Sequence, residues 1–583
     1  MDIHHQIGLD SYDRLFPNQD LMPQGGFGNL IALPLQKKAR KHGNSLFLDN
    51  DFHPVADQWA FLSLIKRISI KNVQELVNEL TKNSSLFGNL KDSSEEDILT
   101  WDQEKPPVAE TEILPEKVIV TLSNMIFIEK EGLSHKMLSR IIRIAAFQNP
   151  EFYKTQALRL SVHNIPRVIN LSFENIEHIA ILRGCKEEIL KLFDQVNIKP
   201  ELIDLTYSGT KQNFVFKGRL RKEQLEAGYA LLQSDNGILA ASTAFGKTIV
   251  ALWLIAQRNV NTLIIVHRRQ LLQQWKERIS CFLDIPVKEI GEIGSGKDKR
   301  TAELDVALIQ SLNRKGVVMD YVQEYGLVIV DECHHISAYS FEQVLKKIKA
   351  KYVYGLTATL TRKDGRHPIV TMQCGPVRYK TSNKVQAVNR SFTHQVIIRY
   401  TNFRLPEYLL NTQPKITELY QALIEDIARN DLILDDIISS ISEGRSPLIL
   451  TERTAHVDFF AGKLEGFAKN IVVLKGGLGK KQIKAIFEKL NAIPENEERV
   501  IIATGKYIGE GFDDSRLDTL FLTLPISWKG TLQQYAGRLH RSHEAKTEVI
   551  IYDYVDKKIP AFSAMFKKRE KGYEWMGYQI KDK

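Results

Sequence analysis

From about residue 203 onward, short apolar runs alternate with amphipathic helical stretches: GILAAS, NTLIIV, DVALIQ, LVIVDE and YVYGLTAT each stand between segments of helical periodicity. Short apolar runs of this kind read as strands buried on both faces. Strands that alternate with helices pair in parallel, with the crossover helices covering both sides of the sheet. The rhythm restarts near residue 446 with PLILTE, NIVVLK, RVIIAT, TLFLTL and EVIIYDY. The expected fold class is therefore α/β, with two successive parallel-sheet domains at 203–375 and 431–583 joined by a connector over 376–430.

The 583 residues leave room for more than these two units. Residues 1–80 are rich in Gly, Asn and Pro early on and then carry a helical apolar pattern, WAFLSLIKRI. Residues 81–116 are polar, acidic and Pro-containing, the composition of a linker. Residues 117–202 mix β-like runs (VIVTLSNMIFI, RVINLSF, EHIAIL) with helical ones (MLSRIIRIAAF, KEEILKLFDQV), as in a small α+β domain. No stretch approaches eighteen apolar residues, so no transmembrane helix and no membrane partner is expected. The N-terminus lacks the basic-then-apolar order of a secretory signal. The four cysteines lie far apart with no C-x-x-C pair, which fits a reducing cytoplasm rather than a disulfide framework or a cysteine-rich zinc site. A net charge of +9 suits a polyanionic partner, because each Lys or Arg placed on a phosphate releases counterions. Charge alone does not decide the point, since many basic proteins bind no nucleic acid.

Two segments carry phosphate chemistry. Ala241-Ser-Thr-Ala-Phe-Gly-Lys-Thr248 follows a strand-like GILA and precedes a helical IVALWLIA. In that context the backbone N–H groups of Ser242, Thr243, Ala244, Phe245 and Gly246 can wrap phosphates. Lys247 can reach the β/γ oxygens and Thr248 can ligate Mg²⁺. Ala241 stands where the strict pattern has Gly. Further on, Leu327-Val-Ile-Val-Asp-Glu-Cys-His-His335 is an apolar strand ending in two carboxylates. Parallel sheets bind ligands at the C-terminal ends of their strands. Asp331 is placed to hold Mg²⁺ and Glu332 to orient or deprotonate an attacking water.

With these residues in place the second half of the chain resembles the DExH-box helicases of superfamily 2, and the resemblance implies two tandem RecA-like domains that hydrolyse ATP between them. Leu220-Arg-Lys-Glu-Gln224 is similar to the adenine-reading motif, with Gln224 as the reader. Val266-His-Arg-Arg-Gln-Leu-Leu-Gln-Gln-Trp275 is similar to motif Ia, with Arg268 and Arg269 as backbone contacts and Trp275 read as core. His334 and the triad Thr357-Ala-Thr359 match the elements that couple hydrolysis to strand movement. Leu448-Ile-Leu-Thr-Glu-Arg453 and Ala503-Thr-Gly-Lys-Tyr-Ile-Gly-Glu-Gly-Phe-Asp513 stand where motifs IV and V belong. They imply Arg453 and Thr504 as nucleic-acid contacts and Gly511 and Asp513 as nucleotide contacts. Gln534-Tyr-Ala-Gly-Arg-Leu-His-Arg541 matches the Q-x-x-G-R-x-x-R of motif VI, with Gln534 at the nucleotide. Arg538 and Arg541 are expected on one helix face as cations for the γ-phosphate, Arg541 being the preferred finger. Within the superfamily the likeness is to XPB-type and restriction-motor proteins. The element after the triad, Leu360-Thr-Arg-Lys-Asp364, departs from the XPB pattern at Lys363.

Residues 6–70 resemble the C-terminal part of an archaeo-eukaryotic-type primase domain of the kind fused to helicases in TOTE conflict systems. One of Asp10, Asp13 and Asp20 is implied as a metal-binding carboxylate, and Lys37-Lys-Ala-Arg-Lys41 suits phosphates. The acidic pair and Ser-x-His motif of that family would lie upstream of Met1, in a longer chain or in a separate component. One carboxylate does not make a two-metal site, so no primase activity is expected of this chain by itself. The expected partner is DNA, duplex first, with RNA remodelling and an ATP-switched grip without translocation as the other readings. The expected cofactors are ATP and Mg²⁺, and the pairing with a primase suggests antiphage defence. No D-(x)n-E-x-K, H-N-H or H-E-x-x-H pattern points to a nuclease centre. The basic, aromatic tail KKREKGYEWMGYQIKDK either docks on the second domain or touches nucleic acid.

Overall fold

A computed structural model describes residues 34–582 apart from 50–52, 67, 76–113, 163, 243–244, 295, 336–338, 361–363, 382–391, 411–413, 496, 510–513, 527–528, 542 and 544–545. Asp10, Asp13, Asp20, Thr243, Ala244, Lys363, Gly511 and Asp513 thus lie outside the described residues.

The apolar runs form two parallel sheets. In the first, the strands lie in the order Lys297–Lys299, Gly291–Gly294, Leu304–Leu308, Thr262–Val266, Leu327–Val330, Tyr352–Thr357, Asn236–Ala240, Val377–Lys380. Every pairing is parallel except that of the first two. Alternate side chains enter opposite cores: Leu263, Ile265, Val328 and Val330 pack on one side, Ile264, Val266, Leu327 and Ile329 on the other. Full burial on both faces is why these strands read as unbroken apolar runs. The order places the strand that ends at Thr357 between the one leading to Asp331 and the one leading to the P-loop.

The second sheet is parallel throughout, in the order Ile471–Leu474, Val500–Thr504, Pro447–Thr451, Thr519–Leu522, Glu548–Val555, Thr393–Tyr400, Gln579–Asp582. The stretch read as a connector contributes to both sheets: Val377–Lys380 edges the first and Thr393–Tyr400 is an inner strand of the second. The latter, THQVIIRY, buries every second residue and so lacks the continuous apolar signature of its neighbours. The tail docks. Pro560–Met576 is a helix, ended by Gly577 at φ +81°, and Gln579–Asp582 adds an edge strand.

Residues 117–204 form a five-stranded sheet in the order Phe173–Glu174, His178–Ile181, Ile126–Glu129, Lys117–Leu122, Lys199–Asp204. The helix within MLSRIIRIAAF stops at Ile144, and Ala146–Gln148 pairs as a strand with Val168–Asn170. This unit is not a bead on a string. One buried cluster runs from it into the first α/β domain. Arg183, buried, donates to the carbonyls of Ala350, at 2.7 Å, and Ile348. A Cβ at Gly184 would stand 2.1 Å from the carbonyl oxygen of Thr371, so the two units approach closely there. Upstream, Asp57 caps the helix Gln58–Leu64 by accepting from the N–H groups of Trp59 and Ala60. No helix among the described residues is long and apolar enough to cross a membrane.

Candidate nucleotide site between two α/β domains

The P-loop turns at Gly246, whose φ of +88° is left-handed. A Cβ at that position would stand 2.6 Å from Gln224 Nε2, so only glycine admits the glutamine beneath it. Gln224 is buried and donates Nε2–H to the carbonyl of Phe245 at 2.7 Å, and Arg221 donates to the same oxygen at 2.7 Å. Lys247 opens the helix Lys247–Arg258, with Thr248 half-buried in its first turn. The Lys247 ammonium donates to Ala241 O at 2.9 Å and Ser242 O at 3.2 Å. Burial pushes its pKa below the usual lysine value. The carboxylates of Glu332 and Asp331 act against that shift, while Arg541 and Arg538, from the second domain, act with it.

Asp331 and Glu332 leave the C-terminal end of Leu327–Val330. Asp331 is 7% exposed and its carboxyl is raised above the ordinary range, by burial first and by Glu332 second. Trp275 Nε1–H donates to Asp331 Oδ2 at 2.8 Å. The tryptophan is core, as its pattern suggested, and it also orients this carboxylate. Glu332 takes a left-handed backbone, φ +47°, which costs a non-glycine residue about 1 kcal/mol or more. His334 Nδ1 lies 3.2 Å from Glu332 Oε2 and 3.1 Å from Thr357 Oγ1. Thr357 Oγ1–H in turn donates to Thr359 O at 2.7 Å. His334, beside the carboxylate, is therefore joined to the triad through a hydrogen bond with Thr357. Two histidines that pattern reading passes over pack alongside it. The rings of His334 and His335 are 4.2 Å apart and those of His335 and His267 4.3 Å, which brings the segment of Arg268 and Arg269 against the acidic strand. Only the fold joins positions so distant in sequence.

Across the cleft, the helix Lys529–Leu539 carries Gln533, which donates Nε2–H to Ala358 O at 3.2 Å within the triad. Gln534, read from the sequence as a nucleotide contact, is half-buried beside it. Arg538 is buried and donates Nε–H to Ile508 O at 3.0 Å. The helix ends at Leu539, so Arg541 does not share a helix face with Arg538 but sits half-buried just past the end. Among the residues read as nucleic-acid contacts, Arg269 is exposed, Arg268 and Arg453 are half-buried, and Thr504 is buried at the end of its strand.

Comparison with known proteins bears on this arrangement. Residues 217–362 match the family model of the type III restriction enzyme res subunit. Over 362 residues the chain is 30% identical to putative helicase 161L of Invertebrate iridescent virus 6, covering 58% of this chain and 78% of the relative. The chain belongs to the superfamily 2 helicases. The helicase is also 26% identical over 387 residues to the DNA 3'-5' translocase XPB2 of Sulfurisphaera tokodaii, covering 61% of this chain and 85% of that one. It is 24% identical over 389 residues to the putative ATP-dependent RNA helicase L396 of Acanthamoeba polyphaga mimivirus, with 64% and 71% covered. Its residues 1–76 match the model described as the TOTE conflict system archaeo-eukaryotic primase domain, so a primase-like segment precedes the helicase.

Proposed function

We propose that this helicase hydrolyses ATP in the cleft between its two α/β domains and uses their closure to move along duplex DNA. The observation that carries the reading is the hydrogen bond from Gln533 to Ala358. It ties the helix bearing Arg538 to the triad that His334 links to Glu332.

Gln224 reads the adenine, and Ser242, Thr243, Ala244, Phe245, Gly246 and Lys247 cradle the phosphates. Gly511, Asp513 and Gln534 complete the nucleotide contacts from the second domain. Glu332 orients the attacking water and accepts its proton, helped by His334. Arg541 brings positive charge to the departing γ-phosphate, with Arg538 bracing it; such a cation is worth about 10³–10⁵ in rate in other NTPases. The donor set fits Mg²⁺: a hydroxyl on Thr248 and a carboxylate on Asp331 held in place from behind. When bound, the ion supplies charge neutralisation on the phosphate oxygens. His334, Thr357 and Thr359 pass the state of the nucleotide to the strand-gripping residues Arg268, Arg269, Arg453 and Thr504. Grip on the backbone makes the motor indifferent to base sequence.

Trp275→Phe keeps the core filled and removes the donor to Asp331. The Mg²⁺ concentration for half-maximal hydrolysis is expected to rise about 10-fold or more, the usual cost of losing a hydrogen bond to a metal ligand. An unchanged magnesium requirement would show that the tryptophan only packs.

A DNA track is favoured by the likeness to the DNA 3'-5' translocase XPB2; the RNA reading is favoured by the name of the mimivirus relative, putative ATP-dependent RNA helicase L396. ATP hydrolysis measured at one salt concentration with no polymer, single-stranded DNA, duplex DNA and RNA separates them. Stimulation by duplex DNA supports the proposal, and stimulation by RNA alone replaces the track while leaving the motor. The primase-like N-terminus is what suggests a setting in antiphage defence.

A further inference from the structure

A helix leaves its last carbonyls without intrahelical partners, and in Lys529–Leu539 those carbonyls lead directly to Arg541. The structure supplies a partner from outside the helix. Lys546, 6% exposed, donates from Nζ to Leu539 O at 2.9 Å, to Arg541 O at 2.9 Å and to Ser515 O at 2.8 Å. Ser515 lies just beyond the segment 510–513 that holds Gly511 and Asp513. One ammonium thus fastens the end of the helix Lys529–Leu539 and Arg541 to Ser515. Its three N–H donors match three carbonyls, one each. The ring of Phe392 lies 5.6 Å from Nζ, and the backbone N–H of Lys546 donates to His543 O at 3.1 Å. Next to this point, His540 Nε2 and the Tyr578 hydroxyl are 2.7 Å apart, so the docked tail braces the same turn.

We propose that Lys546 is the positioning residue of Arg541: by holding the carbonyls of Leu539, Arg541 and Ser515 at one point it delivers the Arg541 guanidinium to the γ-phosphate in a single geometry. The residue touches neither nucleotide nor polymer and acts through the backbone. The proposal rests on the reading of Arg541 as the cation that meets the γ-phosphate.

The chemistry of the amine makes the role readable. A neutral amine has two N–H donors and a lone pair, so one of the three carbonyls would lose its partner and face that lone pair. Burial lowers the Lys546 pKa to about 8, against the pull of the Asp518 and Asp514 carboxylates, so the ammonium titrates where the enzyme can be assayed.

The test measures kcat and KM for ATP on the full chain with saturating duplex DNA from about pH 7 to 9.5, for wild type, Lys546→Met and Arg541→Ala. Lys546→Met is expected to lower kcat by about 10- to 10²-fold with little change in KM, the scale of a misplaced catalytic group. Wild-type kcat is expected to fall on the alkaline side with a midpoint near 8, and the Met variant to lack that limb. If Arg541→Ala lowers kcat while Lys546→Met leaves it intact, the positioning claim is overturned and the site reading stands. If Arg541→Ala has no effect, the reading beneath it falls. The wild-type profile needs no variant, so a Met variant that does not fold leaves the claim exposed: a single-turnover rate that stays flat across the alkaline range overturns it.

Discussion

Glu332→Gln is expected to cut ATP hydrolysis by about 10²–10⁴-fold, the span that removal of a positioned general base produces. ATP binding should survive. Glutamine keeps the volume and the hydrogen-bonding reach of the side chain, so the packing of the turn around Asp331 has no reason to change. What is lost is the carboxylate proposed to take the proton. Lys247 loses the larger of the two carboxylate influences on its buried ammonium but keeps that of Asp331 and its bonds to Ala241 O and Ser242 O. The signature is therefore a variant that binds a fluorescent ATP analogue as wild type does and fails in single-turnover hydrolysis. A variant that hydrolyses ATP at the wild-type rate would remove Glu332 from the chemistry.

The second large effect concerns the fold of the second domain. Arg429, 2% exposed, donates Nε–H to Asp556 Oδ1 at 3.0 Å, a second N–H to Asp556 Oδ2 at 3.3 Å and a third to Thr523 O at 2.7 Å. Asp556 also accepts from the hydroxyl of Thr401. These bonds tie the helix Ile427–Ser442 to the ends of two central strands. Removing one partner of a buried pair leaves the other charged and desolvated, at a cost of about 3–5 kcal/mol. Arg429→Met should show that loss as a lowered urea midpoint for this domain. The double variant Arg429→Met/Asp556→Leu should recover much of it, because no charge is then stranded. A single variant that loses no more than a surface pair would, about 1 kcal/mol, contradicts this account of the pair.

The parts of the molecule that were legible in sequence share one property: their signal is local. Five apolar runs in each half, a Gly-Lys-Thr after a strand and two carboxylates after another can be read from neighbouring residues, and the α/β class follows from them. Thr393–Tyr400 escaped because half its residues are polar, although it lies inside a sheet. Arg541 was placed on a helix that ends two residues before it, since spacing alone says nothing of where a helix stops. Trp275 at Asp331, His335 between His334 and His267, and Lys546 behind Arg541 are contacts between segments far apart in the chain. Periodicity cannot report such contacts, because the side chains meet only after both sheets have formed.

The central claim is that hydrolysis between the two domains drives movement along duplex DNA. It is tested most directly by displacement of a third strand from a triplex ahead of the protein, with ATP and with a non-hydrolysable analogue. The account predicts displacement with ATP, none with the analogue and none for Glu332→Gln. Hydrolysis stimulated by duplex DNA without any displacement would contradict it, and the helicase would then be a nucleotide-switched clamp.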